Sequence, residues 1–278
     1  MKKYHIEKNT VQETLILPLY GRKLCSERFP GLFSDPDSAR LIDSIDYDFS
    51  EKGKKMETAI GLFGALEVAQ RQYDLACEVS GYLKAHPEAA VVNLGCGLDT
   101  TFYRVDNGHC KGYNIDMPDV IKVRSELLPP RERERNIACD LNDTSWFDEI
   151  DGSGGAVFFA AGVFYYFGTE QVKSLLTAMS ERFPGGAAVF DTCNSRGVKM
   201  MMKTWLKEAG ITDVRAFFAV SDPEREIGAW NDKFTVSSLP YMCGYRLLGR
   251  SVRPLYRFLS KFGDDYIAMK IVKVVFGK

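Results

Sequence analysis

The residues best placed to do chemistry lie where apolar runs end. Val91-Val92-Asn93-Leu94 runs into Gly95-Cys96-Gly97 and then Leu98-Asp99-Thr100. Glycines at such a point let a backbone turn sharply and approach a ligand more closely than any Cβ would allow. Asp116 ends the next apolar run, 19 positions after Gly97, where a carboxylate can accept hydrogen bonds from ribose hydroxyls. Asp140 closes a third run, placed to meet an adenine amino group, with Leu141 beside it to pack on the ring. A dinucleotide site usually carries a third glycine three residues after the second, and Thr100 stands there instead. The pyrophosphate of NAD therefore fits less well than S-adenosylmethionine, which has none. Asp99 is equally suited to capping the following helix and to touching the ligand.

These residues need a scaffold, and the hydrophobic pattern supplies one. From residue 89 onward, apolar runs at 89–95, 111–117, 135–140, 154–162 and 185–191 alternate with amphipathic stretches at 118–128 and 169–183. Short continuous apolar runs bounded by Gly and Asp suit strands buried on both faces by crossover helices. The expected class is α/β: a Rossmann-like, doubly wound, seven-stranded mixed sheet. Residues 268–276, β-branched and remote from the other strands in sequence, suit an antiparallel insertion at one edge. Ahead of the sheet, residues 13–25 and 37–49 read as helices, the second opened by Asp35-Pro36. Residues 50–58, charged and containing Gly53, read as an exposed loop. A long helix over Glu67–Leu83 leads into the first strand, and 221–240 reads as loop-rich. The expected division is a helical lid over 1–85 packed on a core over 86–278, in one integrated domain.

Composition narrows the class of partner. The 278 residues carry 36 Lys and Arg against 37 Asp and Glu, so no global field favours a polyanion. Arg246, Arg250, Arg253, Arg257 and Lys261 recur at helical spacing, but Pro254 argues against one unbroken helix, so a solvated face is expected rather than a nucleic-acid site. The 7 cysteines are scattered, without C-x-x-C spacing, which speaks against both a disulfide framework and a zinc site and for a reducing, cytoplasmic setting. No apolar run approaches the roughly 18 residues of a membrane helix.

Taken together, 91–108, 114–129, 134–140 and 158–167, with 13–24, 38–49 and Arg71-x-Tyr73-Asp74, resemble the leucine carboxyl methyltransferase family, in particular its bacterial branch similar to polyketide-biosynthesis O-methyltransferases. The run G-x-G-L-D-T followed by F-x-R carries most of that resemblance. It implies a class I methyltransferase fold that binds S-adenosylmethionine, leaving S-adenosylhomocysteine, through Arg71, Gly95, Asp116, Asp140 and Leu141. Asn93, Cys96, Gly97, Met117 and Ala161 belong to the same expected site, and the N-terminal helices would cover the acceptor. This chain departs from the pattern twice: Asn93 replaces a common acidic residue, and Ala160-Ala161-Gly162 stands where eukaryotic members often have a glutamate after the fourth strand.

For the transfer itself, Tyr165 and Tyr166 follow the fourth strand, where an acceptor would lie, though core packing explains them equally well. Tyr20 and Arg22 are weaker candidates for contact with the acceptor. Met200, Met201 and Met202 would make an adaptable apolar wall or simply core. The 3 histidines, His5, His86 and His109, sit in contexts that suit the surface better than a general base. A carboxylate acceptor, already ionised at neutral pH, needs no base, so O-methylation of an acid on a small molecule or peptide is the expected reaction. A binding module without transfer and an NAD-linked oxidoreductase are the alternatives.

Overall fold

A computed structural model of the chain describes residues 3–6, 11–201, 218–246, 248 and 252–278. In chain order it begins with β1 (Tyr4–His5), α1 (Val11–Thr14), α2 (Ile16–Arg28), α3 (Pro36–Asp43), β2 (Ile45–Asp46), α4 (Ser50–Met56) and α5 (Ala59–Ala85). The sheet region follows: β3 (Ala90–Leu94), α6 (Thr101–Val105), β4 (Lys111–Asp116), α7 (Pro118–Leu127), β5 (Glu134–Ala138), β6 (Ala156–Ala160), α8 (Thr169–Arg182), β7 (Ala187–Thr192) and α9 (Ser195–Met201). It closes with α10 (Pro223–Glu226), β8 (Phe234–Pro240), α11 (Pro254–Tyr266) and β9 (Lys270–Phe276).

Strands β3 to β9 form one sheet in the order β5-β4-β3-β6-β7-β9-β8. The first five in sequence are mutually parallel, while β9 runs antiparallel to β7 and to β8. The chain winds outward from β3 through β4 to β5, then returns to β6 on the other side of β3. Ligands bind at the carboxyl ends of strands where the order reverses in this way. Here that point lies between β3 and β6, whose last paired residues are Leu94 and Ala160.

Both faces of the sheet are covered, which explains the unbroken apolar runs. Val92, Leu94, Phe158, Ala160 and Phe190 face one core with Trp146, Leu176 and Phe183. Val91, Val157, Phe159 and Val189 face the other, with Leu24, Leu66, Leu75 and Val79 from α2 and α5. The N-terminal helices therefore share a core with the sheet. Asp35 caps α3 as expected, its carboxylate accepting from the Ser38 N–H at 3.0 Å, with Pro36 in the first turn. Helix α5 runs well beyond the expected span, its start capped by the Thr58 hydroxyl accepting from the Gly61 N–H at 3.2 Å.

Three segments differ from expectation. The helix expected to reach residue 49 stops at Asp43, and Ile45–Asp46 pair with β1 as β2 instead. Residues 50–56 form a helix instead of a loop. Its lysines Lys54 and Lys55 face outward while Gly53 and Met56, three apart, are buried, with Met56 in the core against α2 and α5. Residues 234–240, inside the stretch read as loop, form the edge strand β8. Its alternating burial is that of a strand wet on one side, and Pro240 sits at its end, where the sheet tolerates it. The basic stripe is broken as Pro254 implied: α11 starts at Pro254, Arg246 lies before it in a turn, and Arg250 lies outside the described residues.

Arg22 ties α2 to the rest. Its Nε donates to Asp35 Oδ2 at 2.9 Å and an Nη donates to the Leu98 carbonyl at 2.8 Å, with both side chains of the ion pair 6% exposed. Removing one partner of a buried pair leaves the other charge uncompensated, at a cost of about 3–5 kcal/mol. Arg22→Ala should lower unfolding stability by about that amount in a denaturant titration; a loss under about 1 kcal/mol would show that the pair does not anchor the helix.

Candidate active site

The carboxyl ends of β3 and β6 open into a cavity of about 400 Å³. Its floor is the turn after β3. Gly95 and Gly97 have φ of +61° and +44°, a region that side chains other than glycine's disfavour. A Cβ on Gly95 would also lie 2.5 Å from Val163 Cγ2. The turn is tied down on both sides. Asp116 accepts from the Gly97 N–H through Oδ2 and from the Met117 N–H through Oδ1, each at 2.8 Å. Arg124, almost wholly buried on α7, donates to the carbonyls of Gly97 at 2.9 Å and Asp99 at 2.8 Å. Burial pushes the Asp116 carboxyl upward, against the two backbone N–H groups that favour its charge. Each oxygen of the carboxylate keeps a second acceptor site for a ligand hydroxyl.

Asp99 is buried and accepts from four donors: the Thr101 N–H at 2.7 Å, the Thr101 hydroxyl at 3.0 Å, Gln72 Nε2 at 3.1 Å and Asn93 Nδ2 at 3.2 Å. Its structural role at the start of α6 is thus plain, although it also lines the cavity. The departure at Asn93 has a physical reason here. An acidic side chain at 93 would set a second carboxylate against Asp99, whereas the amide donates to it.

Arg71 and Asp191 face each other across the cavity wall. Arg71 Nη1 lies 3.2 Å from Asp191 Oδ2, and Asp191 Oδ1 accepts from the Gly162 N–H at 2.6 Å. Burial works most strongly against the Arg71 charge, but Asp191 together with Tyr241 and Tyr165 outweighs it and holds the guanidinium protonated. Gly162, with φ +73°, leaves the space that the guanidinium fills, since a Cβ there would lie 2.5 Å from Arg71 Nη1. Next to the Ala160-Ala161-Gly162 turn, the carboxylate beside Arg71 comes from Asp191 of β7.

Of the residues expected at the site, Arg71, Asn93, Gly95, Cys96, Gly97, Asp116, Ala161, Tyr165 and Tyr166 line one cavity. Asp140, Leu141 and Met117 do not. Asp140 accepts from the Asn142 N–H at 2.9 Å and from its side-chain amide at 2.8 Å, and Leu141 packs in the core with Trp146. Met117 is 46% exposed, just beyond Asp116. Tyr20 also lies off the wall. On α2 the residues that face the cavity are Pro18 and Arg22, with Leu15 just before the helix, and Tyr20 points away to stack on Phe49 at 5.3 Å. Asp74, buried and bonded by Gln70 Nε2, serves the packing of α5, and Tyr73 carries the Arg246 guanidinium 4.0 Å from its ring centre. None of His5, His86 and His109 lines the cavity. Burial drives the Tyr165 phenol well above its ordinary value, so it is no base at neutral pH.

The far end of the cavity is apolar, walled by Tyr165, Tyr166, Met200, Met201, Tyr241 and Met269. Met202 lies outside the described residues. Glu67, Gln72 and Asp191 were not singled out from the sequence. Glu67 lies one turn from Arg71 on the same face of α5, and Asp191 stands at the end of a strand as Asp116 does, so helical spacing and the rule of acids at strand ends could have found those two, whereas Gln72, adjacent to Arg71, carries no such signal.

The cradle fits S-adenosylmethionine: two positive-φ glycines, a strand-end carboxylate for the ribose, and a buried Thr100 rather than a glycine where a pyrophosphate would need close approach. Asp116→Ala should weaken binding of S-adenosylhomocysteine by about 1–3 kcal/mol in calorimetry, and an unchanged affinity would remove Asp116 from the site.

Comparison with known proteins agrees with this geometry. The model of the leucine carboxyl methyltransferase family matches residues 20–180. The chain is 31% identical over 183 residues to the tetracenomycin polyketide synthesis O-methyltransferase TcmP of Streptomyces glaucescens, and the match spans 65% of each chain. In fold it is similar to a Thermobifida fusca YX protein assigned as a methyltransferase, at 14% identity and TM-score 0.60, covering 98% of this chain and 96% of that one. It is similar also to the plantazolicin methyltransferase BpumL in complex with a triazolic desmethylPZN analog and SAH, at 14% identity and TM-score 0.51, covering 96% of this chain and 100% of that one. With more than half its length matched by the family model, the chain belongs to the leucine carboxyl methyltransferase family.

Proposed function

We propose that the protein is an S-adenosylmethionine-dependent O-methyltransferase acting on a carboxylate of a small-molecule or peptide acceptor. The observation that carries this reading is the two-ended cavity at the switch point, with a glycine cradle and Asp116 at one end and an apolar, Tyr- and Met-walled chamber at the other. When bound, the cofactor supplies a methyl group on a positively charged sulfur, activated for in-line displacement. Asp116 would hold the ribose, the turn at Gly95 and Gly97 the amino-acid portion near Arg71, and Asp140 and Leu141 the open adenine end.

The chain's own contribution is positioning and exclusion of water. Residues 1–85 serve as a lid: Leu15, Pro18 and Arg22 come in from above, while Gly64, Glu67, Val68 and Arg71 of α5 form a side wall. The chamber beyond them holds the acceptor with its oxygen toward the cradle. A carboxylate arrives ionised and asks no proton removal, consistent with a cavity that no histidine reaches. Among the described residues no helix is long and apolar enough to cross a membrane, and all 7 cysteines are unpaired, which suits a reducing cytoplasm.

Two measurements test this reading. Calorimetry should show binding of S-adenosylhomocysteine and none of NAD; the reverse would overturn the assignment. Incubation with paired acids and phenols should then yield methyl esters with release of S-adenosylhomocysteine. Methylation of phenols alone would refute the carboxylate acceptor, and binding without any transfer would indicate a module that has lost catalysis.

A further inference from the structure

Glu67 is a charged-type side chain at the acceptor end of the cavity for which the reading above has no use. It sits on α5 one helical turn before Arg71, on the same face. No hydrogen bond or ion pair from the described residues reaches its carboxyl. Its backbone carbonyl is fixed, accepting from the Tyr241 hydroxyl at 2.9 Å, so the side chain projects from a held point. Asp99, Asp116 and Asp191, the other cavity carboxylates, are each tied by two or more donors. Glu67 is half-buried and lines the cavity, so its hydrogen-bonding capacity is left to whatever occupies that cavity.

We propose that Glu67, in its protonated form, holds the acceptor: its carboxyl O–H donates a hydrogen bond to the acceptor carboxylate, the two groups sharing one proton. This rests on the carboxylate reading given above. Burial, more than the groups facing Glu67, brings its neutral form within reach at neutral pH. Burial raises its pKa to about 7, with Arg71 from its own helix pulling the other way and Asp264 of α11 adding to the rise. Cys193, after β7, and Tyr241, after β8, also face it, and both are held protonated, their pKa values driven up chiefly by burial. An incoming anion raises the Glu67 pKa further, as two carboxylates side by side cannot both ionise.

The proton is held and not transferred. During methylation a C–O bond forms at the acceptor oxygen as the C–S bond breaks, and that electron pair stays on sulfur. Glu67 keeps its proton throughout. The product ester is neutral, so the charge-assisted hydrogen bond that held the acid becomes an ordinary one, favouring release.

The sign of the pH dependence follows. Below about pH 7 Glu67 is already protonated and binds the acid anion directly; above it, binding must take up a proton. The test is calorimetry on the enzyme saturated with S-adenosylhomocysteine, in two buffers of different ionisation enthalpy. The probes are a panel of aromatic carboxylates led by 2-naphthoate, each paired with its hydroxy analogue, led by 2-naphthol.

The expected result is uptake of about one proton per 2-naphthoate at pH 8.5 and about none at pH 5.5, with affinity falling up to tenfold per pH unit above 7. Glu67→Gln, still a donor, should lose both the uptake and the pH dependence. Glu67→Ala should weaken acid binding at pH 6 by tenfold or more, while both variants keep their affinity for S-adenosylhomocysteine, which shows the fold intact. Acid binding without proton uptake, or uptake that survives in Glu67→Gln, would overturn the role of Glu67 and leave the carboxylate reading standing. Binding and methylation of the hydroxy series alone, with a rate that rises through pH 7 and is abolished in Glu67→Gln, would overturn both and make Glu67 a base. Binding of neither series would overturn the proposal as well.

Discussion

Because Gly95 and Gly97 both take positive φ, the chain leaves β3 and reverses above the sheet with no side chain between its backbone and the cavity. That turn would not stay in place unaided. Asp116, at the end of the neighbouring strand, accepts the Gly97 N–H, and Arg124 from α7 holds the carbonyls of Gly97 and Asp99. The group that would bind a ribose is therefore also a support of the turn that admits the ligand. Asn93 and Gln72 extend the network through Asp99, so helix α5 is wired to the same turn.

The electrostatics of the cavity follow from how those charges are paired. Glu67, Asp99, Asp116 and Asp191 line it, against only Arg22 and Arg71. Arg22 is engaged by Asp35, and Arg71 by Asp191. The wall thus leans negative, which suits a ligand bearing a sulfonium and an ammonium group, and it offers an anionic acceptor no free cation among the described residues. An acid entering such a chamber meets less repulsion if one of the carboxyls gives up its charge. Glu67, alone among the four in lacking donors, is the one that can do so.

Local signals made much of this legible in advance. Continuous apolar runs gave the parallel strands, Asp35-Pro36 marked the start of α3, and the β-branched tail was read as antiparallel at one edge, where β8 lies outside it as the last strand. The misread segments were those whose burial depends on a partner. Gly53 and Met56 looked like part of a charged loop because their apolar face exists only against α2 and α5. Residues 234–240 looked like a loop because an edge strand alternates and needs its neighbour β9 to define it.

At the site the same division holds. Gly95, Gly97 and Asp116 could be read from the sequence because the chemistry needs a residue type at a fixed place on a strand end, and strand ends are locally encoded. Asp140 and Leu141 satisfied that rule yet stand outside the cavity wall, held by a local turn and by the core. Glu67, Asp191 and the pairing of Arg71 came from elements more than a hundred residues apart, brought together only when α5 packs on the sheet. Sequence alone therefore determined the scaffold and the kind of ligand its turn can admit. Which charges are neutralised, and which carboxyl is left without a donor, was decided by tertiary packing, since pairing and desolvation are properties of neighbours in space.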